Sequence, residues 1–162
     1  MISTLSMDFS LQADPQAPIH RILIVDDDCS LREFIAEALR DADYLVDTAA
    51  NFAEAVEKLH DSHFDLLLTD YHMPRKTGVD LVHQMRADGM EIPVIIMTGR
   101  IEELQAEHPD LQVSALLSKP FMLSELIDLT ASVIRSSASA ETLHTVPAGA
   151  DSHRPSRRTV FF

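Results

Sequence analysis

The chain has 162 residues, and its 13 basic and 26 acidic side chains give a formal net charge of −13 at pH 7. A hydrophobic fraction of 46% beside 24% charged residues is typical of a globular protein with a buried core, which excludes disorder throughout. The excess of acid also excludes a surface for nucleic acid or anionic membrane on the body of the protein.

The composition predicts one domain with two flexible ends. Residues 1–19 mix Ser, Gln, Asp and two prolines without a sustained period, and we expect a flexible leader there. Apolar periodicity then continues over 20–135, the predicted domain. It is lost over 136–162, where we expect a flexible tail whose first residues are able to extend the last helix.

The predicted location is the cytoplasm. Cys29 is the only cysteine, so there is no disulfide framework, as is usual in a reducing compartment. The first 19 residues lack a secretory signal pattern, and no apolar run reaches the roughly 18 residues that span a bilayer. We therefore expect no membrane segment.

Strand and helix patterns alternate along the domain. The predicted strands cover 21–25, 44–48, 64–69, 93–97 and 113–118, and the predicted helices cover 31–40, 52–60, 79–87, 101–107 and 123–135. Such alternation is typical of a parallel sheet with helices on both faces. The continuous apolar runs at 22–25, 66–68 and 94–97 indicate strands that are buried on both sides.

Local signals predict where the helices begin and which faces they bury. Ser30 with Glu33, and Asn51 with Glu54, have the form of a capping box. The first helix is expected to bury one face and the last helix another. These faces comprise Leu31, Phe34, Ile35, Ala38 and Leu39, and Leu123, Leu126, Ile127, Thr130, Val133 and Ile134.

Polar residues follow the predicted strands at the edge where a parallel sheet binds ligands. If the first and third strands are neighbours in the order 2-1-3-4-5, the ends of four strands converge. The residues concerned are Asp26 and Asp27 after the first strand, Asp70 after the third, Thr98 and Gly99 after the fourth, and Lys119 after the fifth.

This set of residue types predicts phosphoryl transfer onto an aspartate. Three close carboxylates repel one another, and Mg²⁺, which prefers oxygen ligands and keeps some of its waters, would relieve the repulsion. Lys119 supplies a point charge for a phosphoryl oxygen, and the Thr98 hydroxyl can donate to another. Gly99 leaves room for the group.

Four sequence blocks resemble the receiver domain of two-component response regulators. They are ILIVDDD at 22–28, LLLTDYHMP at 66–74 with Gly78, VIIMTG at 94–99 and LSKPF at 117–121. The resemblance covers residues 20–135. It implies an α/β fold with a five-stranded parallel sheet in the flavodoxin-like order 2-1-3-4-5 and five helices on both faces.

The resemblance also implies a role for each matching residue. Asp70 would accept the phosphoryl group, and Asp26, Asp27, Asp70 and the backbone carbonyl of His72 would hold Mg²⁺. Thr98, Gly99 and Lys119 would contact the phosphoryl group, with Thr98 moving toward it. The Lys119-Pro120 peptide bond would be cis.

The chain departs from the family pattern at two positions. Leu116 stands where the family usually has an aromatic switch residue, so a switch through Thr98 and position 116 would have to act by backbone and helix shifts. Met122 stands where the last helix often has an Asp cap. His72 and Arg100 occupy positions at which family members tune the lifetime of the phosphoryl group.

The resemblance implies a receiver rather than a turnover enzyme. Because few residues lie outside 20–135, we expect a stand-alone receiver without an output domain, and a receiver excised from a longer chain remains open. Its expected partners are a sensor histidine kinase or a histidine phosphotransfer protein, and a downstream protein bound by the face of the fourth helix, fifth strand and fifth helix. A homodimer is compatible with this, and direct DNA binding is not expected. A phosphate shuttle or sink remains open, as does a phosphatase resembling haloacid dehalogenases, with Asp26 as nucleophile and Asp28 as general acid.

Overall fold

The computed structural model of the protein describes residues 18–142. The strands are β1 (Arg21–Val25), β2 (Leu45–Ala49), β3 (Leu66–Asp70), β4 (Val94–Thr98) and β5 (Ala115–Ser118). The helices are α1 (Cys29–Asp41), α2 (Phe52–Asp61), α3 (Gly78–Ala87), α4 (Ile101–Glu107) and α5 (Leu123–Thr142). All neighbouring strands are parallel, in the order β2-β1-β3-β4-β5, which confirms the predicted fold class.

The register of the sheet brings the carboxyl ends of four strands to one edge. Val25 in β1 lies opposite Thr69 in β3, and Asp70 lies opposite Met97 in β4. Thr98 at the end of β4 lies opposite Ser118 in β5. The residues that end or follow these strands are therefore neighbours, although up to 93 positions separate them along the chain.

The core lies in two layers, one on each face of the sheet. In β1, Leu23 and Val25 belong to the layer under α2, α3 and α4, while Ile22 and Ile24 belong to the layer under α1 and α5. The residues of β3 and β4 are buried throughout. The prediction that the continuous apolar runs form strands buried on both sides is therefore confirmed.

Helix α1 begins earlier than its predicted capping box. Asp28 is the N-cap, and its carboxylate accepts a hydrogen bond from the Leu31 N–H at 3.1 Å, so Ser30 lies inside the first turn. Asp is as good a cap as Ser, and Asp28 comes first after β1. The predicted capping box at Ser30 is therefore wrong.

The predicted buried face of α1 is also wrong at Phe34, which is 55% exposed. The buried residues are Ile35, Ala36 and Leu39. Successive residues are about 100° apart around a helix, so Phe34 and Ala36 lie on nearly opposite sides. Packing of the small Ala36 against the sheet turns Phe34 toward solvent.

The caps of the next two helices differ from the sequence prediction in detail. Asn51 caps α2 as predicted, but Glu54 accepts from the Ala50 N–H at 2.9 Å instead of the N–H of Asn51. A full capping box starts α3, where the Thr77 N–H donates to Asp80 and the Asp80 N–H donates to Thr77. We did not predict this box, although Thr-x-x-Asp resembles its usual sequence signature.

Helix α5 continues seven residues past Arg135, through Thr142. The hydroxyl groups of Ser136, Ser137 and Ser139 each donate to the carbonyl four residues earlier, at 2.9–3.0 Å. These bonds satisfy the serine hydroxyls inside a helix. Residues 1–17 and 143–162, which contain most of the predicted leader and tail, lie outside the described residues.

Membrane-spanning helices are absent from the described part of the chain, since none of its helices is both long and apolar enough.

Gly78 sets the position of the end of β3. A Cβ atom at Gly78 would lie 2.4 Å from the carbonyl oxygen of Asp70, which is closer than any such contact tolerates. The Gly78 N–H also donates to the Tyr71 carbonyl at 2.9 Å. The start of α3 is thus packed directly against the backbone of Asp70, and only glycine permits this approach.

We expect Gly78→Ala to lower the free energy of unfolding by about 1–3 kcal/mol, because the added methyl group must displace backbone. Urea unfolding measures the change. Gly99→Ala is the matched control, since its Cβ would meet only the Lys119 carbonyl at 3.8 Å. A change of about 0.5 kcal/mol or less is expected there. Equal stability of Gly78→Ala and the wild type would contradict the steric account.

Candidate functional site

Three carboxylates form an acidic cluster at the carboxyl edge of the sheet. Asp26, Asp27 and Asp70 each offer an oxygen, and these oxygens all lie within 4.8 Å of one another. Asp26 and Asp70 are buried, with exposed fractions of 1% and 6%, whereas Asp27 is exposed. An all-oxygen donor set that is open on one side fits a hard divalent cation such as Mg²⁺.

The loop after β1 holds Asp26 at both its side chain and its backbone. The Asp28 N–H donates to Asp26 Oδ1 at 2.8 Å, and Arg32 Nη1 donates to the Asp26 carbonyl at 2.7 Å. The Asp26 N–H continues the sheet by donating to Ala49. Sequence reasoning did not find the part played by Arg32, because its partner is a backbone oxygen six residues away.

Lys119 crosses from the end of β5 to the buried carboxylates. Its Nζ lies 2.7 Å from Asp70 Oδ1 and 3.1 Å from Asp26 Oδ2. The Lys119 N–H donates to the Thr98 carbonyl at 2.8 Å, and the Lys119-Pro120 peptide bond is cis. One ammonium group therefore joins the ends of β1, β3 and β5.

The electrostatics of the pair are set by burial and by the ammonium group. Burial raises the pKa of Asp70, as do the charges of Asp26 and Asp27, and the hydrogen bond from Lys119 opposes the rise without cancelling it. For Lys119, burial acts to lower the pKa, but the hydrogen bond and charge of Asp70 together with Asp26 outweigh it and raise the pKa. Lys119 thus stays charged beside Asp70 at neutral pH.

Thr98 and Gly99 lie at the same edge, after β4. Thr98 is buried, and its Oγ1 accepts from the Arg100 N–H at 3.1 Å. The Arg100 side chain points to solvent and pairs with Glu103 at 3.1 Å. A Cβ at Gly99 would make one ordinary contact, 3.8 Å from the Lys119 carbonyl oxygen, so Gly99 is not tightly enclosed.

Position 116 and the residues after Asp70 complete the surroundings. Leu116 is 6% exposed and packs in the same core layer as Tyr71 and Leu104. His72 is exposed, with its ring edge-on to the Tyr71 ring at 4.5 Å. Burial and a hydrogen bond to Glu107 raise the pKa of Tyr71 to about 12. Sequence reasoning did not single out Tyr71, although it directly follows Asp70.

The geometry bears on the phosphatase alternative through Asp28. That alternative needs Asp28 as a general acid, yet its carboxylate accepts the N-cap hydrogen bond of α1. The Asp28 carboxylate is therefore already engaged as the cap of a helix. The acidic cluster instead centres on Asp26, Asp27 and Asp70, and Lys119 contacts Asp70 at the shorter of its two distances.

Comparison with curated sequences finds response regulators. The chain is 33% identical over 117 residues to the response regulator MprA of Mycobacterium ulcerans (strain Agy99), which covers 71% of this chain and 50% of MprA. The MprA of Mycobacterium avium (strain 104) is 32% identical over the same length. The chain therefore spans about half the length of the curated relatives it matches.

Solved structures show the same architecture. The chemotaxis response regulator CheY4 of Vibrio cholerae matches with a TM-score of 0.67 and 30% identity, over 72% of this chain and 99% of that one. The response regulator TrrA of Thermotoga maritima, solved in complex with Mg²⁺ and beryllofluoride, matches with a TM-score of 0.65 and 27% identity, over 71% and 99%.

The model of the response regulator receiver domain matches residues 22–131, which include all four sequence blocks and the acidic cluster. That family comprises signalling domains rather than turnover enzymes. The match, the relatives and the fold agree, and the chain belongs to the response regulator receiver domain family.

Proposed function

We propose that Asp70 accepts a phosphoryl group from the phosphohistidine of a sensor histidine kinase or of a histidine phosphotransfer protein, in an Mg²⁺-dependent reaction. The observation that carries this is the placement of Asp70 Oδ1 at 2.7 Å from Lys119 Nζ, inside a cluster with Asp26 and Asp27. A nucleophilic carboxylate, a cation for the transferred group and an oxygen site for a metal are together.

Mg²⁺ would be held by Asp27 and Asp70, by Asp26 directly or through water, and by the backbone carbonyl of His72. The bound ion would supply positive charge for the phosphoryl oxygens. The presence of Mg²⁺ and beryllofluoride in the structure of TrrA supports this assignment. The exposed Asp27 faces the open side of the cluster, where a cation can enter.

In the proposed transfer, a carboxylate oxygen of Asp70 forms a bond to phosphorus while the bond from phosphorus to the donor imidazole breaks. The electron pair of the broken bond stays on the imidazole nitrogen. Lys119 favours the ionised form of Asp70 before transfer and would contact a phosphoryl oxygen afterwards. Thr98 would turn its hydroxyl toward another phosphoryl oxygen, and Gly99, which has no side chain, would leave room for the group.

The phosphorylated state would change contacts with a downstream protein at the surface formed by α4, β5 and α5, which we call the output surface. His72 and Arg100 are exposed close to the cluster, and we propose that they tune how long the phosphoryl group survives. A role as a phosphate shuttle or sink would use the same phosphoacceptor site. If the protein forms a homodimer, phosphorylation would affect it through the same kind of change at the surface. The pathway and the partners of the whole protein belong to this proposal.

We expect incubation with a small phosphodonor and Mg²⁺ to add one phosphoryl group per chain in the wild type and none in Asp70→Asn, because the amide is not nucleophilic. Intact-protein mass spectrometry measures the gain. Asp61→Asn, which removes an exposed carboxylate at the end of α2, should be labelled like the wild type.

Two results would contradict the assignment of Asp70. Labelling that persists in Asp70→Asn and is lost in Asp26→Asn would favour the phosphatase chemistry. If Asp61→Asn lost its labelling to the same extent as Asp70→Asn, the loss of labelling would not be specific to Asp70.

We expect Mg²⁺ to raise the Tm of the wild type, because a cation that binds only the folded protein stabilises it. The rise should be smaller in Asp27→Ala, which loses a carboxylate ligand, and unchanged in Asp61→Ala. Thermal unfolding with and without Mg²⁺ measures these shifts. The same shift in Asp27→Ala as in the wild type would remove Asp27 from the metal site.

A further inference from the structure

Tyr71 connects the end of β3 to the end of α4. It directly follows Asp70, it is buried, and its hydroxyl group donates a hydrogen bond to Glu107 Oε2 at 2.8 Å. Glu107 is the last residue of α4. The bond thus joins the residue beside the phosphoacceptor to a helix of the proposed output surface.

The backbone of Tyr71 is fixed to the same edge of the sheet as the acidic cluster. Its N–H donates to the Met97 carbonyl at 2.9 Å, and its carbonyl accepts from Gly78 at 2.9 Å. Met97 directly precedes Thr98, and Tyr71 directly follows Asp70. A displacement of either site residue is therefore transmitted to the backbone that carries the Tyr71 ring.

Helix α4 has few other polar ties. It has seven residues, and Arg100 at its N-cap makes no side-chain capping bond. Among the described residues, the bond from the Tyr71 hydroxyl is the one side-chain hydrogen bond that joins α4 to a residue beyond the helix and its N-cap. Its apolar contacts include buried Leu104, which packs in the same core layer as Tyr71 and Leu116, and partly buried Ile101.

Leu116 cannot replace this bond. It is buried in that layer and carries no hydroxyl group. In this core layer, Tyr71 is therefore the residue whose side chain makes a hydrogen bond to α4. Removing its hydroxyl leaves the ring, and hence the apolar packing, in place.

We propose that the Tyr71–Glu107 hydrogen bond is a latch that holds α4 in its unphosphorylated position, and that phosphorylation changes the output surface by releasing it. The inference rests on the proposed phosphorylation of Asp70. Tyr71 would act as a positioning residue, because its hydroxyl group contacts Glu107 of α4. Weakening the latch should shift the population of α4 toward the released position without any phosphoryl group.

The test is ¹H–¹⁵N NMR of the whole chain, with and without Mg²⁺ and beryllofluoride, together with intact-mass measurement of Asp70 phosphorylation. In Tyr71→Phe, we expect the amide signals of α4 to lie between the free and beryllofluoride-bound wild-type positions before any addition. A bond to a charged acceptor is lost, so the population ratio should change by about tenfold. Phosphorylation should still add one group.

Matched variants separate the latch from a general disturbance. Glu107→Ala should give the same intermediate signals as Tyr71→Phe, and the double variant should add little to either one, because both remove one bond. Tyr44→Phe removes the hydroxyl of the other tyrosine, and Glu102→Ala removes an exposed glutamate of α4. Neither substitution should move the α4 signals from their free wild-type positions toward their beryllofluoride-bound positions.

The outcomes distinguish the latch from the phosphorylation on which it rests. If Tyr71→Phe is phosphorylated but its free α4 signals coincide with those of the free wild type, the latch is wrong. Signals that move away from the line between the two wild-type states would show a structural effect only, and this also overturns it. Absence of phosphorylation at Asp70 in the wild type would instead overturn the proposed function.

Discussion

The contact of Lys119 with Asp26 and Asp70 is the interaction on which the site depends. Two carboxylates are buried at the edge of the sheet, 3.1 and 2.7 Å from one ammonium group. Buried carboxylates without a counter-charge are strongly unfavourable, so the lysine makes the arrangement possible before a metal binds. It also leaves the exposed Asp27 facing solvent, where the cluster can take up a cation. Most of the other acids that produce the net charge of −13 need only water.

The parallel sheet supplies the geometry for this contact. Asp26, Asp70 and Lys119 come from the ends of different strands, and Gly78 packs so closely on the Asp70 carbonyl that the end of β3 has little freedom. Directly after Asp70, Tyr71 joins the same edge of the sheet to α4 through its hydrogen bond to Glu107. Helix α4 is short and has no side-chain hydrogen bond at its N-cap, which lowers the cost of displacing it from this edge.

The grouping of Asp26, Asp27, Asp70 and Lys119 could be predicted from sequence, because parallel topology brings all strand ends to one edge, whatever their separation along the chain. The alternation of strands and helices predicted a parallel sheet with helices on both faces, and the resemblance to receiver domains supplied the strand order. Details that depend on tertiary packing could not be predicted. Phe34 fits an apolar stripe, yet the close approach of Ala36 to the sheet turns it outward. Asp28 and Ser30 are both good caps, and only the path of the chain after β1 decides between them. The contact of Tyr71 with Glu107 spans 36 positions without a local signal.

A crystal structure of the chain with Mg²⁺ and beryllofluoride tests the central claim most directly, because it locates the phosphoryl analogue and the metal together. The account predicts beryllofluoride on a carboxylate oxygen of Asp70, with Lys119 Nζ and the Thr98 hydroxyl at its fluorines. It also predicts Mg²⁺ within about 2.1 Å of oxygens of Asp27 and Asp70. Beryllofluoride on Asp26, or a metal bound away from Asp27 and Asp70, would contradict the account.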